Sequence, residues 1–393
     1  MDKKLKYITG VLAAVMVVVF LGVFVSGLIK TTPDGAKADK QEGTTPDNEV
    51  VNTQTDTNSP TQEDAKKDYL TLSFIGDCIL GSESGRITEG NFSHTAENNS
   101  HDYFFSQVKD ELSKDDLTIA NMECVLTDRE LEKIGKDYEP AYWYKAPTVN
   151  ADILTLGSVE VASVVNNHVN DYGEEGYKDT VAALEGQGLY VGENLTPLYI
   201  EKNGIKIGLL SCNLWSSYNV YYIEEALEEM QDKCEYKIVF FHGGTEGVYE
   251  PDNYKIDACR YLAQSGLCDL IVGSHPHRLQ PMEVVNGVPI LYSLGNFCYS
   301  AANYPDNKTV IFRVELKKTD NGIITETELI PCYVYTGWIN NFQPALMPEG
   351  QDKEAVLELM ATPVEHIEET TEEETEAPSE EVTEEFQGVP VPY

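Results

Sequence analysis

Five times between residues 69 and 277 a short apolar run stops at a polar tip, and that repetition constrains the fold of the 393-residue chain more than any other feature. The runs at 69–75, 116–120, 161–165, 236–241 and 270–272 read as strands. Segments of helical character fall at 101–114, just after 149, and at 173–186, 223–232 and 257–265. Strands alternating with helices predict an α/β architecture, with sheets flanked by helices. In such sheets the strand tips open onto one crevice. Residues 198–210 predict a hairpin turning at Asn203-Gly204. Runs at 310–316 and 323–330 are suited to extending or closing a sheet, and 353–360 to a last short helix.

The tips carry side chains that can hold a metal. They read Gly76-Asp77, Asn121-Met122-Glu123, Asn166-Asn167-His168, His242-Gly243-Gly244 and Gly273-Ser274-His275-Pro276-His277. Pro276 biases His275 toward extended backbone, where residues i and i+2 point the same way, so both imidazoles are expected to aim at one point. Taken singly, Asp77 could cap a helix and Glu123 could be solvated. Taken together, Asp77, Glu123, Asn167, His242, His275 and His277 are expected to converge in one pocket, with His168 beside it. Imidazole, carboxylate and amide ligands suit Mn, Fe or Zn rather than a thiolate site.

Charge narrows the partners. With 66 acidic and 28 basic residues the net charge is −38, which argues against nucleic acid or an anionic membrane surface as the main partner. The eight cysteines show no CxxC spacing, so zinc-ribbon and redox readings have no support, and several sit in strand-like runs as small buried hydrophobes. Cys234 and Cys268 each precede a strand that ends in a site histidine; if those strands are neighbours, the two sulfurs could meet and bridge. Tyr142, Trp143, Tyr144 and Lys145 either line a substrate cleft or pack as ordinary aromatics.

At the N-terminal end, residues 7–29 form an apolar run long enough to cross a bilayer, preceded by Lys3, Lys4 and Lys6. No A-x-A-like cleavage site closes it, so a retained single-pass anchor with the bulk of the chain outside the cell is expected. Residues 30–68 are polar and read as a tether; 69–345 form the folded domain; 346–364 form a short helical end; 365–393 form an acidic, disordered tail.

From 70 to 297 the motifs resemble the CapA family, associated with poly-γ-glutamate capsule synthesis, whose domain is similar to a divergent calcineurin-like metallophosphatase. The resemblance rests on Gly76-Asp77, Asn121-x-Glu123, Asn166-Asn167-His168-x-x-Asp171-Tyr172-Gly173, His242-Gly243 with Glu246, Gly273-x-His275-Pro276-His277, and Tyr292-Ser293-Leu294-Gly295-Asn296-Phe297. It implies a metallophosphatase-like sandwich of sheets and one or two divalent ions on Asp77, Asn167, His242, His275 and His277. Glu123 would stand at the bridging position, and His168 would protonate a leaving group. Asn121, Lys145, Glu246 and Asn296 are the expected substrate contacts. Two positions depart from the metallophosphatase pattern: Ile79 replaces the histidine of Asp-x-His, and Asn121-Met122-Glu123 replaces a Gly-Asp pair. Two functions follow. One is a surface metallohydrolase cutting an amide or phosphoester in an anionic envelope polymer such as poly-γ-glutamate. The other is a component that binds or exports that polymer beside other capsule synthesis membrane proteins.

Overall fold

Residues 68–136 and 140–367 are described by the computed structural model; the expected anchor at 7–29, the tether up to 67 and the acidic stretch 368–393 lie outside the described residues. Among the described residues sixteen strands follow one another. The first eight are β1 (Tyr69–Cys78), β2 (Ser82–Glu83), β3 (Leu117–Met122), β4 (Val125–Leu126), β5 (Tyr144–Ala146), β6 (Val161–Ser163), β7 (Tyr190–Gly192) and β8 (Leu198–Lys202). Then come β9 (Ile205–Asn213), β10 (Tyr236–His242), β11 (Leu270–Ser274), β12 (Leu279–Val285), β13 (Val288–Leu294), β14 (Thr309–Thr319), β15 (Gly322–Tyr333) and β16 (Ala345–Leu346).

They form a seven-stranded sheet, β16-β15-β14-β1-β3-β6-β7, a six-stranded sheet, β12-β13-β11-β10-β9-β8, and a small sheet, β2-β5-β4. β1, β3, β6 and β7 run parallel, as do β9, β10, β11 and β13. The late runs extend the first sheet, because β14 pairs antiparallel with β1 and β15 with β14. The β8–β9 hairpin turns through Asn203 and Gly204, both at positive φ (55° and 78°), the geometry an Asn-Gly pair supplies.

Alternation along the strands decides what each face buries. Leu70, Leu72 and Phe74 of β1 meet Ile238 and Phe240 of β10 and Leu270 and Val272 of β11 in a core between the two large sheets. The Phe74 ring lies 5.9 Å from Phe240 and 6.2 Å from Phe312. Val239, Phe241 and Ile271 point the other way, onto the helices Asn219–Met230 and Asn253–Ser265. On the far side of the first sheet Ile75 and Ala120 pack with Phe104, Ile153 and Leu184. The architecture is therefore mixed α/β, two facing sheets with helices outside each.

Three local expectations differ. Residues 101–114 do not form one helix; the chain makes a 3-10 turn at His101–Tyr103 and a short helix at Lys109–Leu112. Between them Phe104 and Phe105 are drawn into the core, Phe104 stacking 4.4 Å from Phe92, and tertiary packing overrides local propensity. Cys234 and Cys268 do precede adjacent strands, yet all eight cysteines are free: the Cys234 thiol faces the Met230 carbonyl and the Cys268 thiol the Leu262 carbonyl. The expected last short helix is present at Gln351–Met360, and its Val356 and Met360 enter the inter-sheet core. Ile367, assigned to the tail, exchanges hydrogen bonds with Asn253. Among the described residues no helix is long and apolar enough to cross a membrane.

Candidate metal centre

Gly76 sets the site in place. A Cβ there would stand 2.0 Å from the Gly295 carbonyl oxygen, so only glycine lets β1 approach the segment after β13 this closely. The register of β1 slips between Ile75 and Asp77, a bulge that re-aims the chain. Asp77 N–H then donates to Gly295 O and Phe297 N–H to Asp77 O, both at 2.9 Å. This clasps the two sheets together at their strand tips. Glu123 follows β3, Asn167 and His168 lie in the loop after β6, His242 ends β10, and His275 and His277 follow β11.

These tips meet. Asp77 Oδ2 is 3.0 Å from His277 Nδ1, and Glu123 Oε1 is 3.7 Å from His277 Nε2 and 3.8 Å from His242 Nε2. Asn167 Oδ1 is 2.9 Å from His242 Nε2, and the His242 and His275 ring centres are 4.6 Å apart. Three groupings, Asp77/Glu123/His277, Glu123/His242/His275 and Glu246/His275/His277, each place their potential ligand atoms within 4.8 Å of one another. Glu123 belongs to the first two.

The donor set fits a divalent cation. Glu123 Oε1 and His275 Nδ1 are buried without a hydrogen-bond partner, an arrangement that costs about 1–3 kcal/mol per group unless something satisfies it. Burial, and then the neighbouring Asp77, raise the Glu123 carboxyl well above its ordinary range. Burial, followed by the other site histidines, pushes His242 and His275 well below theirs. Both imidazoles are thus neutral near pH 7, the form that ligates metal.

The His275-Pro276-His277 backbone is not extended, contrary to expectation. His275 has φ 100° and His277 φ 54°, left-handed values that cost non-glycine residues about 1–3 kcal/mol each. The turn is held by Asp77 Oδ2, which accepts from His275 N–H at 3.4 Å, and by the Pro276 carbonyl, which accepts from Gly247 N–H at 2.8 Å. The two rings still come within 5.7 Å, but by a strained turn rather than by strand alternation.

Of the expected substrate contacts, one faces the cleft. Glu246 is exposed and lies 3.8 Å from His275 Nε2. Asn121 is buried instead, its amide donating to Asp77 Oδ1 (2.8 Å) and Glu123 Oε2 (3.0 Å) and lying 3.2 Å from His242 Nδ1. Its orientation is fixed by Asn166 Nδ2, which donates to Asn121 Oδ1 and to the Met122 carbonyl. Asn296 is likewise buried, donating to the His277 carbonyl at 3.3 Å. Lys145 turns away, to the Arg129 carbonyl and Glu130, because neighbouring residues on β5 point to opposite sides. Tyr142 and Tyr144 therefore line the cleft, whereas Trp143 donates to the Ile134 carbonyl outside it.

That cleft, about 430 Å³, is lined by Tyr142, Tyr144, His168, Glu246, His277 and Tyr299. His168 Nδ1 lies 2.8 Å from Asp171 Oδ2, which leaves Nε2 for the cleft. Lys136 Nζ binds the other Asp171 oxygen at 2.6 Å and sits 3.4 Å from His168 Nδ1. Burial lowers the His168 pKa; Asp171 opposes that and Lys136 adds to it. Lys255 is buried beneath the loop after β10, donating to Gln280 Oε1 (2.6 Å) and more distantly to the Gly243 carbonyl; burial brings its pKa down to about 8.

Sequence reasoning passed over Lys136, Tyr299 and Trp215. The Trp215 ring stands 4.7 Å from His275 and 5.6 Å from His242. Its signal was present, because β9 ends at Asn213 in a further polar tip beside β10.

A family model described as bacterial capsule synthesis protein PGA_cap matches residues 71–301. The chain is 26% identical over 277 residues to the PGA biosynthesis protein CapA of Bacillus subtilis (strain 168), covering 65% of this chain and 70% of that protein. It is 25% identical over 300 residues to the capsule biosynthesis protein CapA of Bacillus anthracis, covering 69% of each.

Proposed function

The chain belongs to the bacterial capsule synthesis protein family PGA_cap, and on that premise we propose that its folded domain is a metallophosphatase-like hydrolase acting on a cell-envelope polymer. The observation that carries this reading is Glu123, a buried carboxylate shared by two potential ligand groupings drawn from both sheets. Asp77, Glu123, Asn167, His242, His275 and His277 would hold one or two ions of Mn, Fe or Zn. When bound, such ions supply Lewis acidity toward a phosphoester or amide oxygen and toward water. The protein's own groups do the rest. His168, steadied by Asp171, presents Nε2 to the cleft for proton transfer to a leaving group. Tyr142, Tyr144 and Tyr299 wall the cleft and limit water, and Glu246 stands at its mouth.

A second reading, a polymer-binding or export component without turnover, has one observation in its favour. Ile79, buried at the position where a metallophosphatase supplies a histidine, leaves Asp77, Glu123 and His277 as a three-residue set. Metal analysis of the full chain, with assays on phosphoesters and on poly-γ-glutamate, decides between them. Bound metal with turnover supports the hydrolase; bound metal with polymer binding and no turnover supports the second reading. Residues 7–29, with lysines on one flank, are proposed as the membrane anchor that holds this domain outside the cell.

A further inference from the structure

A second cavity, about 510 Å³, opens on the other side of Asn167 from the tyrosine-lined cleft. That volume lies within the range of about 300–1,000 Å³ found for small-molecule sites. Asn167, Asn170, Asn194, Asn213, Tyr177 and Trp215 line it above a floor of valines, and no charged residue lines it among the described residues. The side-chain amides of Asn170, Asn194 and Asn213 make no hydrogen bond within the described residues, and Asn213 Oδ1 is buried without a partner. A cavity with uncommitted amides, an aromatic wall and an apolar floor is built for a ligand that carries hydroxyl or acetamido groups around an apolar face.

The surface continues beyond it. Asn194 is followed by Leu195 and Pro197, which with Tyr222, Glu225 and Glu229 line another depression of about 190 Å³. The Tyr221 ring, 66% exposed, lies 5.5 Å from that of Tyr222, and Tyr218, one turn earlier in the chain, is 84% exposed. An anionic polymer would meet two carboxylates here and no cation among these lining residues, whereas a neutral sugar chain would meet aromatic faces and amides. We propose that this cavity and its extension form a glycan-binding groove, taking an uncharged, N-acetylated or neutral oligosaccharide that runs up to the metal centre. The groove goes beyond the hydrolase reading and stands whether or not that reading holds.

The test is calorimetric titration of the metal-loaded full chain with the N-acetylglucosamine tetramer, and separately with a glutamate oligomer. Saturable tetramer binding is expected, weakened about tenfold or more in the Asn194→Ala/Asn213→Ala double variant through loss of two hydrogen-bonding groups. Tyr222→Ala, on the exposed helix face, should also weaken the tetramer, and it keeps the proposal testable should the double variant not fold, since unchanged tetramer affinity there overturns it. His277→Ala should lose metal and keep the tetramer. The proposal is overturned by no saturable tetramer binding, or by equal binding in the folded double variant. It is equally overturned if the glutamate oligomer proves to be the variant-sensitive ligand, or if tetramer binding disappears with the metal in His277→Ala.

Discussion

Glu123 Oε1 lies 3.8 Å from His242 Nε2, although one residue follows a strand of the seven-stranded sheet and the other ends a strand of the six-stranded sheet. The site is a seam between two sheets, and its chemistry depends on how those sheets dock. Three predictions rest on its geometry and charge, and a fourth on the N-terminal sequence.

Stabilisation by a divalent ion should grow with pH. In the metal-free protein the raised Glu123 carboxyl withdraws stability as pH climbs from its unfolded value of 4.5 through the folded one. His242 and His275, depressed from 6.5, withdraw stability as pH falls below that value. An ion favours the deprotonated form of all three groups, so it competes with the proton that burial and Asp77 favour on Glu123. Melting temperature should therefore rise more on adding Mn²⁺ at about pH 7.5 than at about pH 5.5. A shift that is equal at both values contradicts competition between the ion and protons at these three groups.

His275→Ala and His168→Ala should part company. The first removes an imidazole from two ligand groupings and should release metal. The second should keep metal and lower turnover by about 10²–10⁴-fold if His168 transfers a proton. Because burial lowers its pKa from 6.5, turnover that needs its acid form should decline as pH rises through a value below 6.5. Should His168→Ala leave capsule formation intact while His275→Ala abolishes it, the site is structural or binding and the hydrolase reading fails.

Asn121→Ala should act on the metal, not on substrate. Its amide reaches Asp77, Glu123 and His242 from below, so metal affinity should fall about 10–100-fold, as for other residues that orient ligands. Equilibrium dialysis measures this. Unchanged metal affinity with a raised KM would restore Asn121 as a substrate contact.

Protease added to intact cells should remove the folded domain, given the apolar run at 7–29 and the lysines before it. Mature protein recovered free in the medium and beginning near residue 30 would contradict a retained anchor.

Much of this was legible in the sequence because strand tips obey a simple geometry. Asp77, Glu123, Asn167, His242, His275 and His277 could be gathered on paper, since parallel strands present their C-terminal ends together. What escaped depended on the third dimension. The left-handed backbone at His275 and His277 is imposed by contacts to Asp77 and Gly247, residues no local rule connects to them. Lys145 reads in sequence like a cleft residue, but the period of two along β5 that puts Tyr144 in the cleft turns Lys145 away from it. Asn121 reads the same in sequence whether its amide meets a ligand or holds one in place; only burial separates the two.

Asp77 and His277, 3.0 Å apart, are separated by 200 residues of chain. No shorter stretch of polypeptide contains both, and an N-terminal half that carries Asp77, Glu123 and Asn167 lacks every histidine of the proposed ligand set. The full set is assembled only when the last parallel strands have docked, and such long-range pairing is slow as a rule. An ion held there would then be chosen by the finished geometry and by the free-ion supply of the compartment where folding ends, because ligand chemistry alone ranks divalent metals without regard to need.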